Sequence, residues 1–418
     1  MSSPTAAPPR PSEGRAIVLY SVASLVASAL MFLASVVAGR GLGPDDYGVV
    51  AAMLGMAVLL TLPALALQAM VAREVAAVAP RGAAGSLAAV GSVLRRRTRS
   101  AALVGGAATA AMLAASPLAA DLFHLPGGVP FAVTATAVLP LLLATTTRGV
   151  LLGLGRYRSV GVALAAEGVG RVLVVGLALL AGKDVGLACA AVPIAAGFSA
   201  LVGAASLRDV ARAAGTAHTA LGRASDGPIL GFYLAFACMT NADVLVARIV
   251  LDNRAAGLYA AGAFFGKIAL LVPLATGSAL IAEVAQRVAQ GRGAEDLLLR
   301  AVGIAFGLTL PVAVLCALIP RVLLHLSLGS EYDAAANLLA PCVLGQMLFG
   351  LAFVVFHYAF GRGQGLSPLF MALIAIGVVV LLSSLPRSAL GLAWTLAGCG
   401  VAVAVALSLW TRMAVDRY

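Results

Sequence analysis

Residues 42–52 read Leu42-Gly43-Pro44-Asp45-Asp46-Tyr47-Gly48-Val49-Val50-Ala51-Ala52, and 209 residues farther on the chain reads Leu251-Asp252-Asn253-Arg254-Ala255-Ala256-Gly257-Leu258-Tyr259-Ala260-Ala261. That spacing is half of the 418-residue length. Each stretch joins the end of one apolar run to the start of the next. The correspondence continues, with Glu74-Val75-Ala76 falling on Glu283-Val284-Ala285 and Pro63 one residue out of register with Pro273. A period this long exceeds the units of solenoids and propellers and implies duplication of a half-molecule.

Composition says what medium the halves occupy. Hydrophobic residues make up 61% of the chain and charged residues 11%, and the mean hydropathy is +1.03. Soluble domains carry about 25% charged residues, and a water-facing surface needs them. The first apolar run, 16–38, is longer than the roughly 7 to 15 residues of a signal-peptide core. It is therefore read as a retained membrane helix. Further runs able to cross hydrocarbon lie near 48–72, 100–120, 129–152, 160–181, 185–207, 228–250, 256–281, 300–319, 334–360, 366–385 and 389–411. The reading is an all-α polytopic membrane protein of about twelve transmembrane helices. Six spans per half is an even number, so the two six-helix lobes share one orientation and form a parallel pseudo-two-fold repeat. The expected organisation is a disordered cytoplasmic tail over 1–14, an N-terminal lobe over 15–207, a cytoplasmic linker over 208–227, a C-terminal lobe over 228–411 and a short tail over 412–418.

The net charge of +11 is an orientation signal before it is an affinity for nucleic acid. With the N-terminus in the cytoplasm, 20 of the 28 basic residues fall on cytoplasmic segments, six fall outside, and Arg171 and Lys267 lie within spans. This bias predicts a multi-pass protein with both termini inside, and the Arg-heavy, Lys-poor composition suggests a bacterial source, hence a bacterial cytoplasmic membrane. The densest basic run, Arg95-Arg96-Arg97-Thr98-Arg99, is topogenic. The five cysteines sit in apolar stretches with no CxxC pair, and neither they nor the four histidines suggest a metal site. No cofactor is implied, and the phosphate-cradling pattern G-x-x-x-x-G-K-[ST] is absent from the sequence, so energy would come from a gradient.

The segment Gly39-Arg40-Gly41-Leu42-Gly43-Pro44-Asp45-Asp46-Tyr47-Gly48 resembles the opening loop of polysaccharide (lipid-linked oligosaccharide) flippases of the multidrug/oligosaccharidyl-lipid/polysaccharide exporter superfamily. Asp243-Val244-Leu245-Val246, Ala256-Gly257-Leu258-Tyr259-Ala260-Ala261 and Gly153-Leu154-Gly155-Arg156-Tyr157 resemble it likewise. The resemblance implies translocation of a polyprenyl-diphosphate-linked oligosaccharide for cell-surface polysaccharide synthesis. It also implies membrane lipids, a glycan polymerase and glycosyltransferases as partners, with no nucleic acid. An ion-coupled multidrug exporter of the same superfamily is the alternative. A membrane glycosyltransferase or polymerase using Asp45-Asp46 is disfavoured by the short outer connections.

Charges at membrane depth cost on the order of 2.5 to 3.5 kcal/mol each at a helix centre, so they single out candidate sites. Arg171 lies about eleven residues, ~16 Å, into the fifth span, with Glu167 one turn earlier in the favourable acid-then-base order. Lys267 lies at a similar depth in the eighth span without an acid at i±3 or i±4. Arg171, Lys267 and Arg148 are candidate substrate-binding cations, Arg171 and Lys267 as a clamp on a diphosphate. Asp243 and Glu167 are candidate ion-coupling or structural acids, Asp243 pairing with Arg248 in the purely structural reading. Pro63 and Pro273 are candidate hinges.

Overall fold

The computed structural model describes residues 11–78, 86–213, 227–290, 292–363, 368–385 and 388–415. Residues 1–10 of the expected tail, 214–226 of the expected linker and 416–418 lie outside the described residues. The elements, in order, are α1 (Pro11–Val78), α2 (Ser86–Ala114), α3 (Ser116–Leu122), α4 (Val129–Ala135), α5 (Val138–Gly153), α6 (Tyr157–Leu180), α7 (Val185–Cys189), α8 (Ala191–Ala205) and α9 (Arg208–Ala213). They continue as α10 (Gly227–Val250), α11 (Asn253–Ala289), α12 (Glu295–Leu318), α13 (Pro320–Ser327), a 3-10 turn (Ser330–Ala335), α14 (Ala336–Gly361), α15 (Pro368–Ser384) and α16 (Ala389–Val415). Among the described residues every regular element is helical, as a membrane-spanning backbone that must satisfy its own hydrogen bonds requires.

Nine of these stretches are long and apolar enough to cross a bilayer. One of them, Val22–Val78, has 57 residues, or ~85 Å at the helical rise, more than one crossing can hold. Gly43 breaks it at φ 79°, ψ 170°, in left-handed space that a Cβ would disfavour. α1 is thus two crossings joined at a turn. The pair Leu87–Ala114 and Ser116–Leu122, bent by 56°, makes another crossing, and Leu369–Ser384 is a shorter one, which completes twelve among the described residues.

The third crossing differs from expectation: it begins at Ser86, and the whole basic run lies on α2. The arginines are tolerated at this inner end because Arg96 and Arg97 both pair with Glu74.

The chain packs as two compact units. The first comprises Met1–Ser35, Ala64–Ser116 and Phe131–Arg223. Its core joins Val71 and Val75 of α1, Val90 and Val93 of α2, Val150 and Leu151 of α5, Val160 of α6 and Leu207. Glycines permit the closest approach: a Cβ on Gly149 would stand 2.7 Å from the Gln68 carbonyl oxygen, and one on Gly153 would stand 2.6 Å from that of Ala72. Small residues at such crossings supply van der Waals contact where lipid offers no hydrophobic drive.

The second unit comprises Val36–Pro63, Pro117–Pro130 and Ala224–Tyr418. α14 is its central helix, with Val343, Phe349 and Val354 fully buried and α11, α12 and α16 packed around it. On both units the outward faces carry exposed leucines such as Leu173, Leu180, Leu299 and Leu318, which suit lipid and would not suit water.

Candidate functional site

Among the described residues each unit buries a polar cluster within its apolar helices. In the first unit the centre is Arg148 of α5. It is 3% exposed, so its guanidinium is held inside the unit. The preceding Thr145, Thr146 and Thr147 return their hydroxyls to carbonyls three or four residues back, so they leave the arginine's partners to other helices. Arg148 Nη1 donates to Glu167 Oε2 of α6 at 2.5 Å and to Ser199 Oγ of α8 at 3.3 Å, and Nε donates to Gln68 Oε1 of α1 at 3.1 Å. Arg171 stands 4.0 Å from Glu167 Oε1, and its Nε has no hydrogen-bond partner. Its helix turns Val169, Leu173 and Leu177 outward; at 100° per residue, Arg171 falls on the opposite, interior face. The cluster holds two cations and one anion.

In the second unit Lys267 of α11 donates to the Thr240 carbonyl and to Asn241 Oδ1 of α10, both at 2.7 Å. Gln346 of α14 donates to the same Thr240 carbonyl at 3.0 Å. Asp243 is fully buried one turn along; its Oδ2 accepts from Tyr259 OH at 3.2 Å, while Oδ1 has no partner. Lys267 is the cation acting on Asp243 through space. Arg248, the partner weighed from sequence, bonds instead to the backbone of His124. Two chain-local readings thus give way to non-local ones: Glu167 takes Arg148 in preference to Arg171, and Asp243 takes Tyr259 and Lys267 in preference to Arg248.

The sequence placed Glu167, Arg171, Lys267 and Asp243 within spans and Arg148 nearer the cytoplasmic end of one, and the structure gathers them into two clusters, one in each unit. Gln68, Ser199, Tyr259 and Gln346 were missed because an uncharged side chain in an apolar helix carries no signal until a partner helix is known. Pro63 lies within α1, its side chain outside the described residues, while Pro273 is buried in α11 with its ring against Gly350 of α14. Among the described residues no group of His, Cys, Asp and Glu could hold a metal ion, and the five cysteines are free thiols.

No protein-family model and no curated protein matches the chain. Solved structures do. A multidrug resistance MATE family transporter of the MOP superfamily, inward-facing, superposes with a TM-score of 0.77 at 17% identity, covering 96% of this chain and 98% of that one. The lipid II flippase MurJ, in an inward closed conformation, gives 0.71 at 11% identity over 94% and 87%. A MOP superfamily transporter from Pyrococcus furiosus, described as having a binding pocket of reversed polarity, gives 0.63 at 17% over 97% and 96%. The fold is therefore the MATE-like one that these transporters share, and its described helices are long and apolar enough for a multi-pass membrane protein.

The reading as a polysaccharide flippase is overturned. Further MATE structures superpose over 96–97% of their length, and the multidrug transporter superposes better than the lipid II flippase does. With that reading go the lipid-linked oligosaccharide, the diphosphate clamp between Arg171 and Lys267, and the glycan polymerase and glycosyltransferase partners. The motif that suggested it, Gly39 to Gly48, contains the Gly43 turn that joins the two crossings of α1.

Proposed function

We propose that the protein is an ion-coupled exporter of small organic molecules, organic cations among them, working by alternating access. The observation that carries the proposal is Asp243, a fully buried carboxyl within a membrane-spanning helix, with one oxygen unpartnered and the Lys267 charge acting on it through space. An intramembrane acid marks an ion or proton pathway unless its charge is fully satisfied, and this one is not. With Lys267 the pair is neutral. A proton or sodium ion arriving at Oδ1 leaves the site with one net positive charge, which opposes a second cation nearby. Exclusive occupancy by ion or by cationic substrate is the elementary condition for exchange. The similarity to MATE transporters supports this assignment of class.

The test is efflux of a fluorescent organic cation from proteoliposomes under an imposed proton or sodium gradient. Gradient-driven efflux by the unaltered protein, lost in Asp243→Asn while the protein remains folded, is the expected result. Undiminished gradient-driven efflux by Asp243→Asn would remove the acid from the mechanism. No gradient dependence in the unaltered protein would remove ion coupling.

A further inference from the structure

The cluster of the first unit is left with one positive charge that no described neighbour cancels. Arg148 contacts Glu167 through Oε2 and Arg171 approaches it through Oε1, so two guanidiniums share one carboxylate. α6 packs against α5, α7 and α8, and in those three helices the only charged side chain is Arg148. α1 also meets α6, with Ala27 and Leu30 facing Gly168, and residues 22–35 of α1 carry no charge. The acids beyond the two ends of α6 are engaged elsewhere: Asp184 caps α7, and Asp209 pairs with Arg156.

Arg171 is where the excess sits. Arg148 is held on three sides by Glu167, Ser199 and Gln68, whereas Arg171 makes no hydrogen bond among the described residues and buries an unpartnered Nε. A guanidinium carries five N–H donors and keeps its proton in any protein setting, so this group can neither neutralise itself nor accept a bond. Its side chain is 15% exposed, on the face of α6 opposite the lipid-facing Val169, Leu173 and Leu177. The open part of the guanidinium therefore faces away from lipid and within reach of a dissolved ion.

A net charge among apolar helices is costly unless it is paired. Since the chain supplies no second acid here, the counter-charge must come from outside it. One excess positive charge is cancelled by a monovalent anion and overshot by a dianion.

We propose that the first unit binds one monovalent anion against Arg171, a halide or the carboxylate of a small organic molecule, with the Arg148–Glu167 pair as its neutral wall. Both kinds of anion accept from a guanidinium without donating, the carboxylate through two parallel bonds of the planar fork. The site goes beyond the export reading and does not depend on it.

The test is equilibrium dialysis of the purified protein against radiolabelled chloride or radiolabelled acetate, with the ionic strength held constant by sulfate. One or both should bind saturably, close to one per chain. Arg171→Gln should weaken that binding about tenfold or more, the scale of a charge-assisted hydrogen bond. Arg158→Gln, the same change at an exposed position of the same helix, should leave it unaltered. Chloride binding alone assigns a halide site, and acetate binding alone assigns a carboxylate site. If Arg171→Gln does not fold, the unaltered protein gives a second reading: phenylglyoxal modification of Arg171, followed by peptide mass spectrometry, should slow severalfold in chloride or acetate relative to sulfate, while that of Arg158 should not. No saturable binding of either anion, full affinity in folded Arg171→Gln, or equal modification of Arg171 with and without the anion would overturn the site.

Discussion

Glu167 has two arginines within reach, and distance decides between them. Arg148 makes a 2.5 Å contact and Arg171 a 4.0 Å one, although only Arg171 is a helical neighbour at i+4. Removing one partner of a buried, hydrogen-bonded pair costs about 3–5 kcal/mol, because it strands the other charge. Arg148→Gln should therefore destabilise the protein by about 3 kcal/mol, toward the low end because Arg171 can close in, and the double variant with Glu167→Gln should recover most of that loss. Arg171→Gln should cost only about 1 kcal/mol. Thermal unfolding of the purified variants checks this ranking, which is the reverse of the one that sequence spacing suggests. At the start of α6 Arg156 donates to Asp209 at 2.9 Å and holds its carboxyl down to about 2. A depressed acid adds stability above its unfolded pKa and loses it as pH falls through the folded one. This anchor of α9 should therefore weaken only between about pH 4 and pH 2. Half of the Asp209 side chain is solvated, so Asp209→Asn should cost less than about 1 kcal/mol at neutral pH. A larger neutral-pH loss in a melting assay would assign the residue a further partner.

At the scale of elements, α5 lies on the second arm of α1 through Gly149 and Gly153, which face the Gln68 and Ala72 carbonyls, and the buried side chains of Val71 and Val75 fill the same seam. Gly153→Ala would place a methyl 2.6 Å from both the Ala72 carbonyl oxygen and the Val75 side chain. The helices must part, at a cost of about 1–3 kcal/mol. Gly176→Ala on α6, where a Cβ meets nothing within 4 Å, should cost nothing measurable and serves as the control in the same unfolding assay. Such contrasts mark the limit of what the sequence discloses. Hydropathy revealed the crossings because lipid imposes length and apolarity on each helix separately. The duplication was legible because glycine and proline hold their places in a turn. The partners of buried charges were not, since Arg148 and Glu167 are 19 residues apart and Arg248 and His124 are 124 apart. Which charge meets which depends on how helices pack, and no local pattern records that.

For the whole molecule, the same reasoning explains why the class of transporter was misjudged while the architecture was not. Twelve crossings and a parallel repeat follow from the medium and from duplication of a half-molecule. What is carried is decided by a few polar side chains rather than by the fold. Orientation belongs to the architecture and can be tested at one helix. α6 has 24 residues, ~36 Å, which is one crossing, and its ends carry Arg158 and, beyond a short turn, Asp184, both exposed. The 20-to-6 division of basic residues puts Arg158 inside and Asp184 outside. In a cysteine-free background, Asp184→Cys should react with an impermeant thiol reagent added to intact cells, and Arg158→Cys should react only after the membrane is opened. The Asp184 side chain accepts from the Leu187 amide to cap α7, so its replacement costs about 1 kcal/mol locally without moving α6. Reversed labelling would reject the charge-based orientation. Labelling of both sites from one side would mean that α6 does not cross, and the count of twelve would fall with it.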